Sequence, residues 1–320
     1  MQIKYLFIFC LLFLFISCKD ENKIPAEIEE IPVKFNVTRF DKIFYETPLD
    51  SFAKMRKKYN IFFLKNLPDT TYTNKITNPI YKELYTEVQK KFGNFETELA
   101  EIETLFKYMK HHFPKEKTPQ NINTLISEMD YHNKVIYTDS VLVISLDLYL
   151  GKEHKFYEYP AYLKQTFQKN QILPDIIDAF GQTKIEKPKD KTLLSKMIYY
   201  GKILYIKDLL IPKYQEYNKI GYEKIKYDFC VENELNIWTY FLEQKLLYDT
   251  NYKTTQRFIE PGPFSKFYLE IDKETPGRIG QWVGWQIVKS YMQNNDVPLE
   301  KMLQEDANLI LEKSKYKPKK

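Results

Sequence analysis

The chain has 320 residues, 48 of them Lys or Arg and 43 Asp or Glu, for a formal charge of +5. Charge this mild and this interspersed gives no basic stripe for nucleic acid, and three cysteines are too few for a disulfide framework. The chain opens MQIKYLFIFCLLFLFISC, with Lys4 ahead of an unbroken apolar run from Tyr5 to Ile16. That run is too short for the roughly 20 residues that span a bilayer, and reads instead as the core of an export signal. Phe15-Ile16-Ser17-Cys18 resembles a lipobox, with Phe where Leu is usual: a small residue precedes the cut and a thiol follows to carry the lipid. Residues 1–17 are therefore expected to leave as a signal peptide. Cys18 becomes the lipid attachment site (diacylglycerol and palmitate), and the lipid is the membrane anchor. Cys10 departs with the signal, so Cys230 is the sole remaining thiol, and an exported fold must rest on its core. Cys230 lies in an apolar helical stretch and reads as a buried structural thiol.

Residues 18–32 carry few apolar groups and two prolines, and read as a lipidated tether. Lys19-Asp20-Glu21 is either a surface-sorting signal or merely solvated tether. Residues 33–40 alternate apolar and polar as a half-buried strand does. Helices are predicted at 49–59, 78–92 and 95–112, the last with Leu99, Ile102, Leu105, Phe106 and Met109 on one face. Strands follow at 121–126, 134–137 and 141–146, the last two joined through the turn Thr138-Asp139-Ser140. VLVISLDLYL is the most apolar of them and is placed centrally. Further helices are expected at 160–169, 174–181, 190–209, 215–248, 277–294, 298–304 and 306–314, with an irregular stretch at 250–275. The basic end, 315–320, reads as frayed. The prediction is one α+β domain over 33–314, mainly helical, with a small antiparallel sheet.

The motifs of common chemistry are missing from the sequence. There is no HExxH, P-loop, GxGxxG or GxSxG. His111 and His112 are adjacent at a helix end, where they complement the helix dipole rather than share a metal, and His132 and His154 make no ligand pair. No metal, cofactor or catalytic residue is assigned. The informative residues are polar groups on apolar stripes. On helix 190–209 the stripe runs through Leu194, Met197, Ile198, Gly201, Leu204 and Tyr205 to Asp208, and Gly201 leaves room for a second helix. On helix 215–248, Glu234 interrupts the face of Cys230, Ile237, Trp238, Phe241 and Leu242. A buried carboxylate needs a partner, and Arg278 is the obvious one. These residues describe either a polar cleft between helices or an internal salt bridge, of which the second is preferred. Gly280 and Gly284 present one bare helix face, while Trp282 and Trp285 form an aromatic edge. Core packing is the preferred role for the indoles, the alternative being an exposed docking site.

Four stretches are similar to the GldB family of gliding-motility lipoproteins of Bacteroidota. They are SLDLYLG at 145–151, LLSKMIYYGKILYIKDLLIP at 193–212, ENELNIWTYFLEQKLLY at 232–248 and PGRIGQWVGWQIVKSYM at 276–292. The resemblance implies a non-enzymatic envelope scaffold, needed for gliding and for the associated type IX secretion machinery, with other lipoproteins of that machinery as partners. Its place would be the periplasmic face of the outer membrane, ahead of the inner membrane or the cell surface, since Lys rather than Asp follows Cys18. A fainter similarity in element order links the chain to predicted zinc peptidases. In those a ligand Glu stands where Tyr200 precedes Gly201 and Lys202 here, and residues 171–178 hold no histidine. That similarity implies a zincin-like scaffold without metal, a pseudoenzyme whose relic cleft binds a peptide segment of a partner; the candidate cleft or partner-contact residues are Gly201, Lys202, Asp208, Glu234, Arg278, Trp282 and Trp285. The competing reading is a periplasmic hydrolase, either an unconventional peptidase or a cell-wall glycosidase, relying on Glu234.

Overall fold

The computed structural model describes residues 24–318; the signal, Cys18 and the first part of the expected tether lie outside the described residues. The rest of that tether is docked, which corrects the reading of 18–32. Helix α1 (Ala26–Glu29) buries Ile28 to 3% exposure, and Ile24 packs beside it. Lys107 and Lys110 Nζ donate to the carbonyls of Glu29 and Pro32 at 3.0 and 2.7 Å. Ile28 and Ile24, the latter ahead of the N-cap Pro25, are two lone apolar contacts, easily overlooked among acidic neighbours.

Strand β1 (Asn36–Arg39) is shorter than the alternation suggests, because Phe40 turns into helix α2 (Phe40–Glu46). With α3 (Phe52–Lys58) and α4 (Asp69–Thr77), α2 encloses a small second core of Phe40, Phe44, Phe52, Met55, Phe63, Tyr72 and Ile76. Helix α4 is absent from the sequence reading, since DTTYTNKIT is poor in helix formers and only Tyr72 and Ile76 mark its inner face. Helix α5 (Pro79–Phe92) starts where Asn78 Oδ1 accepts from Ile80 N at 2.9 Å, with Pro79 at the first helical position. Helix α6 (Glu96–His112) buries Ile102, Leu105, Phe106 and Met109 as its spacing predicts.

Strands β2 (Asn121–Leu125), β3 (Val135–Tyr137) and β4 (Val141–Ser145) complete a four-stranded sheet of order β1-β2-β4-β3. Only β3–β4 is antiparallel; Val37 pairs with Ile122 and Ile122 with Leu142 in parallel register. The sheet is therefore mixed, a correction to the antiparallel expectation. The hairpin is written in a local turn signal, whereas β1 and β2 are joined by the long crossover through α2–α6, and β2 reaches β4 by way of β3. Strand β4 is central, and Ile122, Leu142 and Ile144 face the main core with no exposure.

The C-terminal half is helical: α7 (Ala161–Lys164), α8 (Ile172–Lys184), α9 (Leu193–Leu210), α10 (Glu216–Ile220), α11 (Lys224–Glu232), α12 (Glu234–Glu243), α13 (Tyr252–Phe258), α14 (Ile279–Asn294), α15 (Leu299–Gln304) and α16 (Ala307–Ser314). The single helix expected over 215–248 is three. Gly221 ends α10 in the left-handed region at φ +71°, and Asn233, whose side chain donates to Phe229 O at 3.0 Å, separates α11 from α12. The helix expected at 160–169 shrinks to α7, and the irregular stretch 250–275 contains α13, capped by Asn251. The tail is held at least as far as Tyr316, which stacks edge-on to Trp238 at 5.2 Å. The Ser314 carbonyl accepts from Ser290 and Asn294, so the described start of the basic end is not simply frayed.

Candidate functional site

Helices α9 and α14 cross at glycine. A Cβ on Gly201 would lie closer than 3.0 Å to the backbone of Gly284, and one on Gly284 would meet the Met197 carbonyl equally hard. The close approach anticipated from Gly201 and Gly284 is made by these two helices against each other, whereas Gly280 lies against the Phe258 carbonyl at the end of α13. Trp282 and Trp285 are 1% and 0% exposed, so neither indole offers a face to a docking partner.

The crossing places Asp208 beside Trp285. Asp208 Oδ2 accepts from Trp285 Nε1 at 2.7 Å, and Oδ1 pairs with Lys219 Nζ at 2.8 Å. Lys289 Nζ stands 3.6 Å from Oδ2 and 3.8 Å from the Trp285 ring centre, and also pairs with Glu216, which accepts from the Tyr227 hydroxyl. The carboxylate that breaks the α9 stripe is thus a node in an internal network of charge-assisted bonds, the stronger kind of hydrogen bond. Lys202 serves another interface. Its Nζ donates to the carbonyls of Leu303 and Glu305 at 3.0 and 2.7 Å, where α15 ends, and burial pushes its pKa down to about 8.

Glu234 and Arg278 are not brought together as expected. The Tyr316 hydroxyl donates to Glu234 Oε1 at 2.7 Å; burial and the neighbouring carboxylate raise the Tyr316 pKa. Arg278 sits at φ +62° as the residue before α14, donates from Nη2 to the Ile220 carbonyl at 3.0 Å and lies over the Tyr222 ring. A left-handed Arg is not foreseeable from helical periodicity, and it turns the side chain toward α10 and away from the Glu234 face.

Two depressions flank this core. Arg278 lines one of about 540 Å³, with the Pro261-Gly262-Pro263 loop and Tyr222. Glu234, Trp282 and Tyr316 line the other, of about 600 Å³, between α11, α14 and the C-terminal segment. The seven candidate residues therefore divide: Gly201, Asp208 and Trp285 at the helix crossing, Glu234 and Trp282 at the second groove, Arg278 at the first, and Lys202 beneath α15. Sequence reasoning missed Tyr316 and Gln286 at the second groove. It also missed Asp147 in SLDLYLG, a fully buried carboxylate that accepts from Ser127 N and Met129 N at 2.9 and 2.6 Å. Burial pushes the Asp147 pKa up to about 6 against those bonds. Cys230 is buried, and burial raises its thiol pKa. Among the described residues no group of three or more His, Cys, Asp or Glu is placed to hold a metal ion.

The family model described as gliding motility protein GldB matches residues 21–318. No curated protein and no solved structure matches the chain.

Proposed function

The chain belongs to the family of the gliding motility protein GldB, and on that premise we propose that it is a lipid-anchored, non-enzymatic scaffold of the gliding and type IX secretion machinery. The family ties the chain to gliding motility and to the lipoproteins of the cell envelope. Among the described residues no helix is long and apolar enough to cross a membrane, and the lipid on Cys18 supplies the anchor, at the periplasmic face of the outer membrane. Other lipoproteins of the machinery are its partners.

One observation supports a scaffold over a hydrolase. Glu234, the carboxylate on which the hydrolase reading relies, is buried, and the chain's own Tyr316 hydroxyl donates to its Oε1 at 2.7 Å; Asp208 is likewise engaged by Lys219, Lys289 and Trp285. A carboxylate whose acceptor positions are filled in this way holds helices together and is poorly placed to exchange protons with a substrate. In a strain lacking the protein, gliding stops and the steady-state levels of the partner lipoproteins fall. Partner levels that stay at wild-type values in that strain contradict the scaffold reading.

A further inference from the structure

Arg278 sits in the left-handed region at φ +62°, where a residue other than Gly stays only if its surroundings hold it. Three contacts hold it. The Tyr222 hydroxyl donates to the carbonyl of the preceding Gly277 at 2.6 Å, and the guanidinium lies over the Tyr222 ring at 5.6 Å. A Cβ on Gly277 would lie 2.2 Å from the Gly262 carbonyl oxygen, so the two loops press backbone to backbone. The side chain is thereby fixed in the wall of the 540 Å³ depression.

A guanidinium carries five N–H donors. That of Arg278 spends one, from Nη2 to the Ile220 carbonyl at 3.0 Å, and makes no ion pair among the described residues. Its Nε and Nη1 are not sealed in, since the buried, unpartnered donors of the described residues are Trp282 Nε1 and Gln286 Nε2. Neighbouring carboxylates are committed elsewhere. Asp178, close enough to feel the Arg278 charge, pairs with Lys207 at 2.7 Å, and Glu223 on the rim pairs with Lys152 at 2.6 Å. Lys226, another cation of the depression, spends its Nζ on the carbonyls of Lys273, Glu274 and Thr275. Helix α14 begins at the next residue, and the positive end of its dipole adds to the guanidinium. The depression thus offers one open, positively charged fork.

The walls are apolar. Pro160, Pro261, Pro263 and Pro276 line them with ring carbons and no N–H, beside Tyr162 and Leu163. The N–H groups of Leu163, Gln165 and Thr166 already bond to carbonyls of their own turn. Such walls give the carbonyls of a peptide no donors, and they suit hydrocarbon. The volume falls in the range of ligand sites, about 300–1,000 Å³.

We propose that this depression binds a small monocarboxylic acid with a hydrocarbon body, its carboxylate on the Arg278 fork and its body between the proline rings and Tyr162. One fork matches one carboxylate, the planar pairing that arginine makes best, and a second negative charge would meet Glu223. The inference goes beyond the scaffold reading and does not rest on it.

The test titrates full-length, detergent-solubilised protein by calorimetry at about pH 7.5, where a carboxylic acid is ionised. The probes are phenylbutyrate and its neutral isostere phenylbutyramide, each against a detergent blank. The acid binds with a Kd on the order of 1 mM or tighter, as a ligand of this size does. It binds at least about ten-fold more tightly than the amide, the worth of a charge-assisted pair. Arg278→Gln brings the acid down to the affinity of the amide. Tyr162→Ala, at a position 37% exposed, weakens acid and amide alike about three-fold and leaves the urea midpoint of the free protein unchanged. Arg278→Gln also gives up the bond to Ile220, so the acid-against-amide comparison in the wild type and the Tyr162→Ala titration decide the matter if that variant does not fold. No binding, equal binding of acid and amide, an acid preference that survives Arg278→Gln, or unchanged affinity in Tyr162→Ala overturns the proposal. Tighter binding of phenyl phosphate, or of a tripeptide with a free carboxyl end, overturns it too and assigns the site to a phosphorylated ligand or a protein C-terminus. Partner lipoprotein levels in the deletion strain test the scaffold reading without these probes, so failure of either is seen separately.

Discussion

Gly284→Ala inserts one methyl where α14 touches α9 and tests the helix crossing that places Asp208. The new Cβ would meet the Met197 carbonyl, carbonyl carbon and Cα, all backbone atoms of an 18-residue helix. Backbone cannot rotate aside as a side chain can, so the helices must part. A separation of about 1 Å forfeits a quarter to a half of each dispersion contact across the interface. Overpacking of this kind costs about 1–3 kcal/mol, and the rigid neighbour puts this site at or above the upper end. Replacing Gly by Ala inside a helix returns about 1 kcal/mol. The net expectation is a loss of about 2–3 kcal/mol, a fall in Tm on the order of 3–5 °C for a domain of this length. Gly181→Ala is the control, because its Cβ would meet only the Ile203 side chain at 3.3 Å. That variant should be neutral or slightly stabilised. Urea denaturation followed by circular dichroism reads both. A Gly284→Ala protein as stable as the Gly181→Ala control would refute the argument.

Three further changes probe the latch and the buried charges. Tyr316→Phe removes the donor to Glu234 and lowers stability by about 1–3 kcal/mol, read as a shift in urea midpoint; an unmoved midpoint means the tail is not held there. Asp147 carries a pKa raised from 3.8 to about 6 by burial. Its contribution to stability is full below pH 3.8 and is lost as pH rises through 6, on the order of 3 kcal/mol over the window. Asp147→Asn abolishes that decline, and parallel curves for the two proteins would refute the assignment. Lys202 has the opposite sense. Its pKa is lowered from 10.5 to about 8, so the wild type gains stability relative to Lys202→Met as pH rises from 8 to 10.5. Equal slopes would contradict a charge desolvated beneath α15.

Most of the helical half is legible in the sequence because its signals are local. The α9 stripe and the glycine gaps at 201 and 284 each act within a few residues. The pairing of Asp208 with Lys219 and Trp285 joins segments 11 and 77 residues apart, and no periodicity reports it. Charge alone pairs Arg278 with Glu234, while its left-handed backbone sends it to Ile220. A lysine-rich end carries no apolar pattern that would mark Tyr316, although a single phenol is enough to dock it. The parallel strands escaped for the same reason as the Asp208 pairs: β1 meets β2 across 84 intervening positions (Val37 with Ile122).

The central claim is that this chain works from a lipid-anchored position in the gliding machinery. Replacing the chromosomal copy with Cys18→Ala tests it most directly, with palmitate labelling, membrane fractionation and gliding read from one strain. The account predicts an unlabelled protein that leaves the membrane fraction, loss of gliding, and reduced partner lipoproteins. Normal gliding by a strain whose unlabelled protein stays in the membrane would contradict it.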